Sequence, residues 1–144
     1  MSHSYNKIWV HAVWATKDRL GLITPKIETF LYPFLRAQFK ELSCPVRILN
    51  GMSDHIHCLF LLDNSKSVAE VLKQVKGSSS HYINQNNFTD EKFAWQTGYG
   101  AFSISESGVQ KVYDYIKSQK EHHKLKTFEE EYTAFLALYG FTEN

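Results

Sequence analysis

Apolar residues alternate with polar ones, or run together, in four short stretches that are typical of β-strands. Glycine, proline or small polar residues bound most of these stretches, which favours strands over buried helix segments. The predicted strands cover residues 8–16, 46–50, 54–62 and about 100–104. Only residues 51–53, which include Gly51, separate the second strand from the third. These two strands are therefore predicted to form a hairpin.

Elsewhere apolar residues recur every three or four positions, which predicts helices. Three helix starts carry a capping-box pattern, in which Ser or Thr precedes Glu or Gln by three positions. A fourth start pairs Thr24 as N-cap with Pro25 at the first helical position, and Pro33 is expected to delay or kink that helix. The predicted helices cover about residues 25–42, 68–83, 108–123 and 128–139. The last of them ends before Gly140.

The order of elements is β-α-β-β-α-β, followed by two further helices. This order predicts an α+β fold of the ferredoxin-like or RRM-like split β-α-β type. We expect an antiparallel sheet of four to five strands with helices on one face, plus the two C-terminal helices. The 144 residues show no linker or repeat that would divide them, so residues 1–144 are expected to form a single domain.

Composition limits the classes of protein that need to be considered. The net charge is +1, so a nucleic-acid surface would have to arise from local clustering of Lys and Arg. No apolar run approaches membrane-spanning length, and the N-terminus lacks the pattern of a signal peptide. Cys44 and Cys58 have neither metal-motif nor disulfide-framework spacing. Free thiols favour a cytoplasmic protein.

His55 and His57 lie in the third predicted strand and therefore point to the same face of the sheet. Two adjacent imidazoles can hold one metal ion between them. Cys58 points to the opposite face and is not expected to be a ligand. With 7 His in the chain, one His-x-His pair also arises easily by chance, so a metal site needs support from other residues.

The predicted helix that begins near residue 108 has two distinct faces. Tyr113 falls on the apolar stripe, which indicates packing. Tyr115 falls on a second stripe with Gln119, one turn later, so these side chains are neighbours. Lys111 and His122 lie on that same stripe. Taken alone, Tyr115 is explained more simply as a half-buried aromatic residue at the edge of the apolar stripe.

A tyrosine beside a metal ion has a specific use in phosphoryl chemistry. Its phenol can attack a phosphodiester to form a covalent phosphotyrosine and release a 3′-hydroxyl. A divalent cation polarises the phosphoryl oxygens and assists departure of the leaving oxygen. Two imidazoles and an amide oxygen leave coordination positions open, which suits Mg²⁺ or Mn²⁺ better than a closed zinc site.

The segments His55-Ile-His57 and Tyr115-Ile-Lys-Ser-Gln119 together give the chain a recognisable pattern. It resembles the IS200/IS605-like single-tyrosine transposases of the HUH endonuclease superfamily. The resemblance covers nearly the whole chain. Further similar segments, in the same order as in the family, are residues 51–57, 76–80, 93–102 and 121–131.

The resemblance implies that His55, His57 and Gln119 are metal ligands and that Tyr115 is the nucleophile. It implies a transposase that cuts and rejoins single-stranded hairpin DNA through a 5′-phosphotyrosine, using Mg²⁺ or Mn²⁺. It further implies a homodimer in which the tyrosine helix of one subunit can complete the site of the other. The setting would be a prokaryotic cytoplasm, with association to the nucleoid during the reaction. A domesticated nuclease that cuts dispersed palindromic repeats shares the same motifs.

Lysines concentrate in the helices near this predicted site. Any one of them reads most simply as part of a solvated helical face, but as a group they can neutralise DNA phosphates. The candidate DNA-binding residues are Lys73, Lys76, Lys111, Lys117 and His122. Trp95, Tyr99 and Phe102 can stack on bases, although core packing is expected for at least two of them. His11 is expected to be a structural histidine.

Two other functions are compatible with the same residues. A non-catalytic nucleic-acid-binding module would use the sheet and helices as a platform, and its binding would survive EDTA. A metal-dependent phosphodiesterase without a covalent step would keep its turnover after Tyr115→Phe.

Overall fold

A four-stranded antiparallel sheet forms the centre of the computed structural model, which describes residues 3–122 and 127–138. Its strand order is β2-β3-β1-β4, so β1 and β3 are central and β2 and β4 are the edges. The strands are β1 Trp9–Ala15, β2 Val46–Met52, β3 His55–Leu61 and β4 Gly100–Ile104. This is the order of a split β-α-β fold, and it confirms the fold class and the β2–β3 hairpin predicted from the sequence.

Helices cover both faces of the sheet. α1 (Pro25–Glu41) and α2 (Val68–Gln85) pack on the face that carries Ile56, Cys58 and Phe60. The opposite face is covered by α3 (Val109–Lys117), α4 (Gln119–His122) and α5 (Phe128–Leu138). Central strands that are buried on both sides need apolar residues on both faces, which explains their near-continuous apolar runs. None of the described helices has the length and apolar character needed to cross a bilayer.

Three of the predicted helix starts are confirmed by their capping bonds. The Thr24 side chain accepts a hydrogen bond from the Ile27 backbone N–H at 3.2 Å. At the start of α2, Ser67 and Glu70 form both bonds of a capping box. Thr127 accepts a bond from the backbone N–H of Glu130 at 3.2 Å. Pro33 does not delay this helix, because α1 begins at Pro25, continues through Pro33 to Glu41 and keeps its apolar face buried against the core.

The prediction of one continuous helix from Ser107 to about His123 is wrong in two respects. Ser107 does not cap it; its hydroxyl contacts that of Ser105 at 3.1 Å, and a 3₁₀ turn over Glu106–Gly108 leads into α3. The helix is then interrupted at Ser118, whose φ of −92° and ψ of 13° separate α3 from α4. The predicted end of the last helix, at Tyr139 and Gly140, lies outside the described residues.

Gly51 allows the β2–β3 hairpin to close at the start of the histidine strand. A Cβ atom at this position would lie 2.1 Å from the backbone oxygen of His55, which is far inside van der Waals contact. The close approach of the two backbones therefore requires glycine here. It also sets where β3 begins, and thus the position of both histidines.

Candidate functional site

His55 and His57 project from β3 toward α3, α4 and α5, as strand alternation predicts. Both side chains are buried, and their ring centroids lie 5.2 Å apart. Cys58 lies on the opposite face, in the core under α1 and α2, as expected. The imidazoles thus share a small space between the sheet and the C-terminal helices.

Gln119 is brought to this space although its helix is interrupted. The Gln119 Oε1 atom lies 3.2 Å from Nε2 of His55. The Asn50 side chain on β2 donates to the backbone oxygens of Ile116 and Lys117, at 3.1 and 3.3 Å. These two bonds satisfy carbonyls at the end of α3 and fix the junction to the sheet. Gln119 therefore follows α3 directly to the space shared by His55 and His57. These two histidines with Gln119 and the residues that contact them are called the histidine cluster below.

Glu131 on α5 also lies beside these histidines, although the sequence did not indicate a site role for it. Its Oε1 atom lies 3.2 Å from Nε2 of His57 and accepts a hydrogen bond from Nε2 of Gln119 at 3.0 Å. Candidate ligand atoms of His55, His57 and Glu131 all lie within 4.8 Å of one another. In the sequence, Glu131 lies three positions after Phe128, so the two residues share a helical face. In the structure, the Phe128 ring stacks on His55 at 4.2 Å.

The spacing of these polar atoms suits a bound divalent cation. Ligand atoms about 2.0–2.1 Å from a metal ion and at right angles to each other lie about 3 Å apart. The His55–Gln119 and His57–Glu131 contacts, both 3.2 Å, are close to that separation. Two imidazole nitrogens with carboxylate and amide oxygens form a mixed donor set of intermediate hardness. The residues present therefore fit a divalent metal.

Each histidine of the cluster has a second partner that orients its ring. His55 Nδ1 donates to Asp54 Oδ1 at 2.8 Å, and His57 Nδ1 lies 2.9 Å from Nε2 of His11. A proton on each Nδ1 leaves both Nε2 atoms as lone-pair donors that face Gln119 and Glu131. His11, expected to be merely structural, is thus in direct contact with the site.

Burial changes the protonation behaviour of two of these groups. It raises the pKa of Glu131 to about 7, although the nearby His55 acts in the opposite direction. Burial, together with the proximity of His57, holds the pKa of His11 well below its ordinary value. A neutral His11 can accept the hydrogen bond from His57, which is the direction that the site requires.

Tyr115 lies beside the histidine cluster, whereas Tyr113 packs elsewhere. The Tyr115 ring meets the His57 ring edge-on at a centroid distance of 5.7 Å, and its hydroxyl is buried. Tyr113 packs beneath the Arg47 guanidinium, 4.3 Å from its ring centroid. Both rings pack against the same apolar cluster, but only Tyr115 contacts the His57 ring among the described residues.

The candidate DNA-binding residues are distributed over two regions. Lys111 and Lys117 are exposed on α3, the helix that carries Tyr115. Lys73 and Lys76 lie on α2, on the other side of the sheet. His122 ends α4, and its side chain lies outside the described residues. The structure does not bring all five residues together at the histidine cluster.

Comparisons with known proteins agree with this fold. Residues 4–119 match the family model described as "Transposase IS200 like". A transposase candidate from Deinococcus radiodurans R1 has a similar structure, with a TM-score of 0.62, 22% identity, and coverage of 83% of this chain and 95% of that one. A REP-associated tyrosine transposase bound to a REP hairpin has a TM-score of 0.62 and 16% identity, with coverage of 85% and 74%. At these identities the structural similarities show the fold alone.

No protein with a curated description matches the sequence. The matched segment contains all four described strands, both histidines of β3, Tyr115 and Gln119, whereas Glu131 lies beyond it. It also spans well over half of the chain. The chain therefore belongs to the IS200-like transposase family and is a DNA-processing enzyme.

Proposed function

We propose that this transposase cuts and rejoins single-stranded DNA, with Tyr115 as the nucleophile and His55, His57 and Gln119 as ligands of a divalent cation. The observation that carries the proposal is the edge-on contact between the rings of Tyr115 and His57, at 5.7 Å. A phenol and a candidate metal ligand are thus neighbours in the same small space. Packing alone would account for Tyr115, but not for the polar groups that converge beside it.

The cation would be Mg²⁺ or Mn²⁺, held by the two Nε2 atoms and the Gln119 amide oxygen. Glu131 supplies a further oxygen donor in the same space, 3.2 Å from His57. A divalent cation bound there would offset the charge that develops on the phosphoryl oxygens of the substrate. Asp54 and His11 would keep the two imidazoles in the tautomer that leaves each Nε2 available.

The cleavage step transfers a phosphoryl group to tyrosine. The Tyr115 oxygen forms a bond to phosphorus as it loses its proton, and the bond from phosphorus to the 3′ oxygen breaks. The 3′ oxygen takes up a proton and leaves as a hydroxyl, while the 5′ end of the strand stays attached to Tyr115. Rejoining is the reverse reaction with a 3′-hydroxyl, so the phosphodiester energy is conserved in the covalent link.

The DNA substrate would be single-stranded and would carry hairpins. The structural relative bound to a REP hairpin supports this substrate class. That relative also supports an alternative biological role, in which the protein is a domesticated nuclease that cuts dispersed repeats. Imperfect palindromes at both ends of the gene would favour a mobile element, whereas palindromes scattered elsewhere would favour the domesticated role.

We further propose that residues 1–144 act as one catalytic domain and assemble as a homodimer. The family resemblance supports both statements. In the described chain, Tyr115 lies beside the His57 of its own chain. Light scattering of the purified protein, alone and with hairpin DNA, tests the dimer.

Denaturing electrophoresis of DNA–protein adducts tests the catalytic proposal. The protein is incubated with Mn²⁺ and a labelled single strand that contains a hairpin from the flank of its own gene. We expect a covalent adduct that Tyr113→Phe retains and Tyr115→Phe abolishes. The reverse pattern would contradict the choice of nucleophile. DNA binding in EDTA without an adduct under any metal would support the non-catalytic module, and cleavage that survives Tyr115→Phe would support the phosphodiesterase.

A further inference from the structure

A basic groove lies on the α1–α2 side of the sheet, away from the histidine cluster. It has a volume of about 500 Å³ and runs between α2 and the segment of residues 92–99 that leads into β4. Three lysines, Lys73, Lys76 and Lys92, line it, and none of the described residues that line it is a carboxylate. The cleavage step at Tyr115 uses no residue of this groove, although Lys73 and Lys76 are among the DNA-binding candidates named from the sequence.

The wall opposite α2 is fixed in place by hydrogen bonds. Asn84 on α2 both donates to and accepts from the backbone of Phe93, at 2.8 Å each. The Gln96 N–H donates to the Ala15 carbonyl on β1 at 2.8 Å, and the Trp95 indole donates to Ser79 at 2.9 Å. The groove is therefore formed before any ligand arrives, which reduces the entropic cost of binding.

The three lysines have different roles in this groove. The Lys76 ammonium donates to the backbone oxygens of Gln96 and Gly98, at 2.8 Å each. These bonds tie the segment of residues 92–99 to α2. Lys73 and Lys92 are exposed, and neither forms an ion pair with a carboxylate in the described part of the chain. Glu70, one turn before Lys73, is engaged in the Ser67 capping box. Lys73 and Lys92 are consequently available to an anionic ligand.

An exposed aromatic ring accompanies these two cations. Tyr99 lines the groove and is 41% exposed. The other two candidate stacking residues are packed, because Phe102 is buried and Trp95 lies edge-on to Trp14 at 5.9 Å. Free ammonium groups with an exposed aromatic ring form the combination that binds phosphates and stacks on unpaired bases.

We propose that this groove is a second DNA-binding site, in which Lys73 and Lys92 bind backbone phosphates and Tyr99 stacks on an unpaired base. The proposal rests on the proposed function for the identity of the ligand as DNA. Because the groove and His57 lie on opposite sides of the sheet, DNA in the groove is not the phosphodiester being cut. The groove instead holds DNA that flanks the cleaved position and passes the edge strand β4.

Salt-dependent binding tests the two lysines. A labelled hairpin with a single-stranded flank is titrated in EDTA at several salt concentrations with the parent protein and the double variant Lys73→Ala, Lys92→Ala. Each lost phosphate contact lowers the slope of log K against log[salt] by about 0.7 to 0.9. We expect the double variant to bind more weakly and to lower that slope by about 1.4 to 1.8. The double variant Lys26→Ala, Lys40→Ala, which removes two exposed lysines of α1 outside the groove, should behave like the parent protein.

Variants of Tyr99 test the stacking contact. Tyr99→Ala should weaken binding of the hairpin with its single-stranded flank, but not of a blunt duplex with the same stem, and Tyr99→Phe should restore it. Equal losses on both DNAs, or no loss, would overturn the stacking role. Circular dichroism of every variant confirms that the fold is retained.

The experiments distinguish failure of the groove proposal from failure of the nuclease proposal. If the parent protein forms the Tyr115 adduct while the lysine double variant keeps the parent affinity and salt slope, the groove proposal alone is overturned. If the lysine variant loses affinity and slope but the parent forms no adduct, the groove stands and the nuclease proposal fails. A parent protein that binds no DNA in any of these titrations overturns both.

Discussion

The Nδ1 atom of His57 lies 2.9 Å from the Nε2 atom of His11. The other ring nitrogen of His57, Nε2, lies 3.2 Å from the Oε1 atom of Glu131. His57 is therefore oriented by one residue on β1 while its other nitrogen faces the candidate metal site. Because burial keeps His11 neutral, the lone pair on its Nε2 atom can accept a hydrogen bond from the Nδ1–H of His57. The protonation state that a metal ligand needs is thus built into the pairing of β1 with β3.

We predict that His11→Ala weakens Mn²⁺ binding about 10- to 100-fold, because the loss of a residue that orients a metal ligand has effects of this size. Isothermal titration calorimetry of the purified protein measures the affinity. His81→Ala removes an exposed histidine of α2 and should leave the affinity unchanged. Unchanged Mn²⁺ affinity in a folded His11→Ala variant would show that His11 has only a packing role.

Glu131→Gln is predicted to change the pH dependence of stability in EDTA. Burial raises the pKa of Glu131 from its ordinary value of 4.5 to about 7, so the folded state favours the protonated carboxyl. This contribution is complete below pH 4.5 and is lost as the pH rises through about 7. The free energy of unfolding of the parent protein should therefore fall relative to Glu131→Gln across this window.

Chemical denaturation at a series of pH values measures that difference. The neighbouring groups His55, His57 and Asp54 are present in both proteins, so the comparison isolates the carboxyl group of Glu131. A difference in unfolding free energy that stays constant from pH 4.5 to 7 would contradict the raised pKa of this carboxyl.

Gly51→Ala should destabilise the fold by about 1–3 kcal/mol or more, because its Cβ would lie 2.1 Å from the His55 backbone oxygen and the hairpin would have to shift. Gly77→Ala is the matched control. No atom lies within 4 Å of a Cβ at that position of α2, and replacing glycine within a helix should stabilise by about 0.5–1 kcal/mol. Urea unfolding of both variants gives the two free energies. Equal stabilities would show that the hairpin tolerates a side chain at residue 51.

The sequence was sufficient to predict the sheet and the common face of His55 and His57, because strand alternation has a period of two and depends on local pattern. It could not place Glu131, because its contact with Gln119 joins two separate helices, and helical periodicity shows only that it shares a face with Phe128. His11 was missed for a similar reason. Its contact with His57 depends on the register between β1 and β3, which no local signal specifies.

The interruption at Ser118 also has a tertiary cause. Neither proline nor glycine marks this position, and the residues on either side continue a helical pattern. The Asn50 side chain on β2 instead takes up the last carbonyls of α3. Such a contact between distant segments overrides local helix propensity and is not visible in the sequence.

Mixing two inactive variants tests whether each active site is made by one chain. Tyr115 lies beside His57 of its own chain, so a mixture of Tyr115→Phe and His57→Ala subunits should form no adduct. If the tyrosine helix were exchanged between subunits, random pairing would restore about a quarter of the sites. Electrophoresis of adducts after unfolding and refolding the mixture measures the recovery, and a clear recovery would contradict the own-chain arrangement.

The most direct test of the account is to locate the covalent bond between protein and DNA. The protein is incubated with Mn²⁺ and hairpin-containing single-stranded DNA, digested with protease and nuclease, and analysed by tandem mass spectrometry. We predict that a 5′-linked nucleotide is attached to Tyr115, whose ring lies 5.7 Å from that of His57. DNA that is cut while Tyr115 stays unmodified, or a nucleotide attached to Tyr113, would contradict the account.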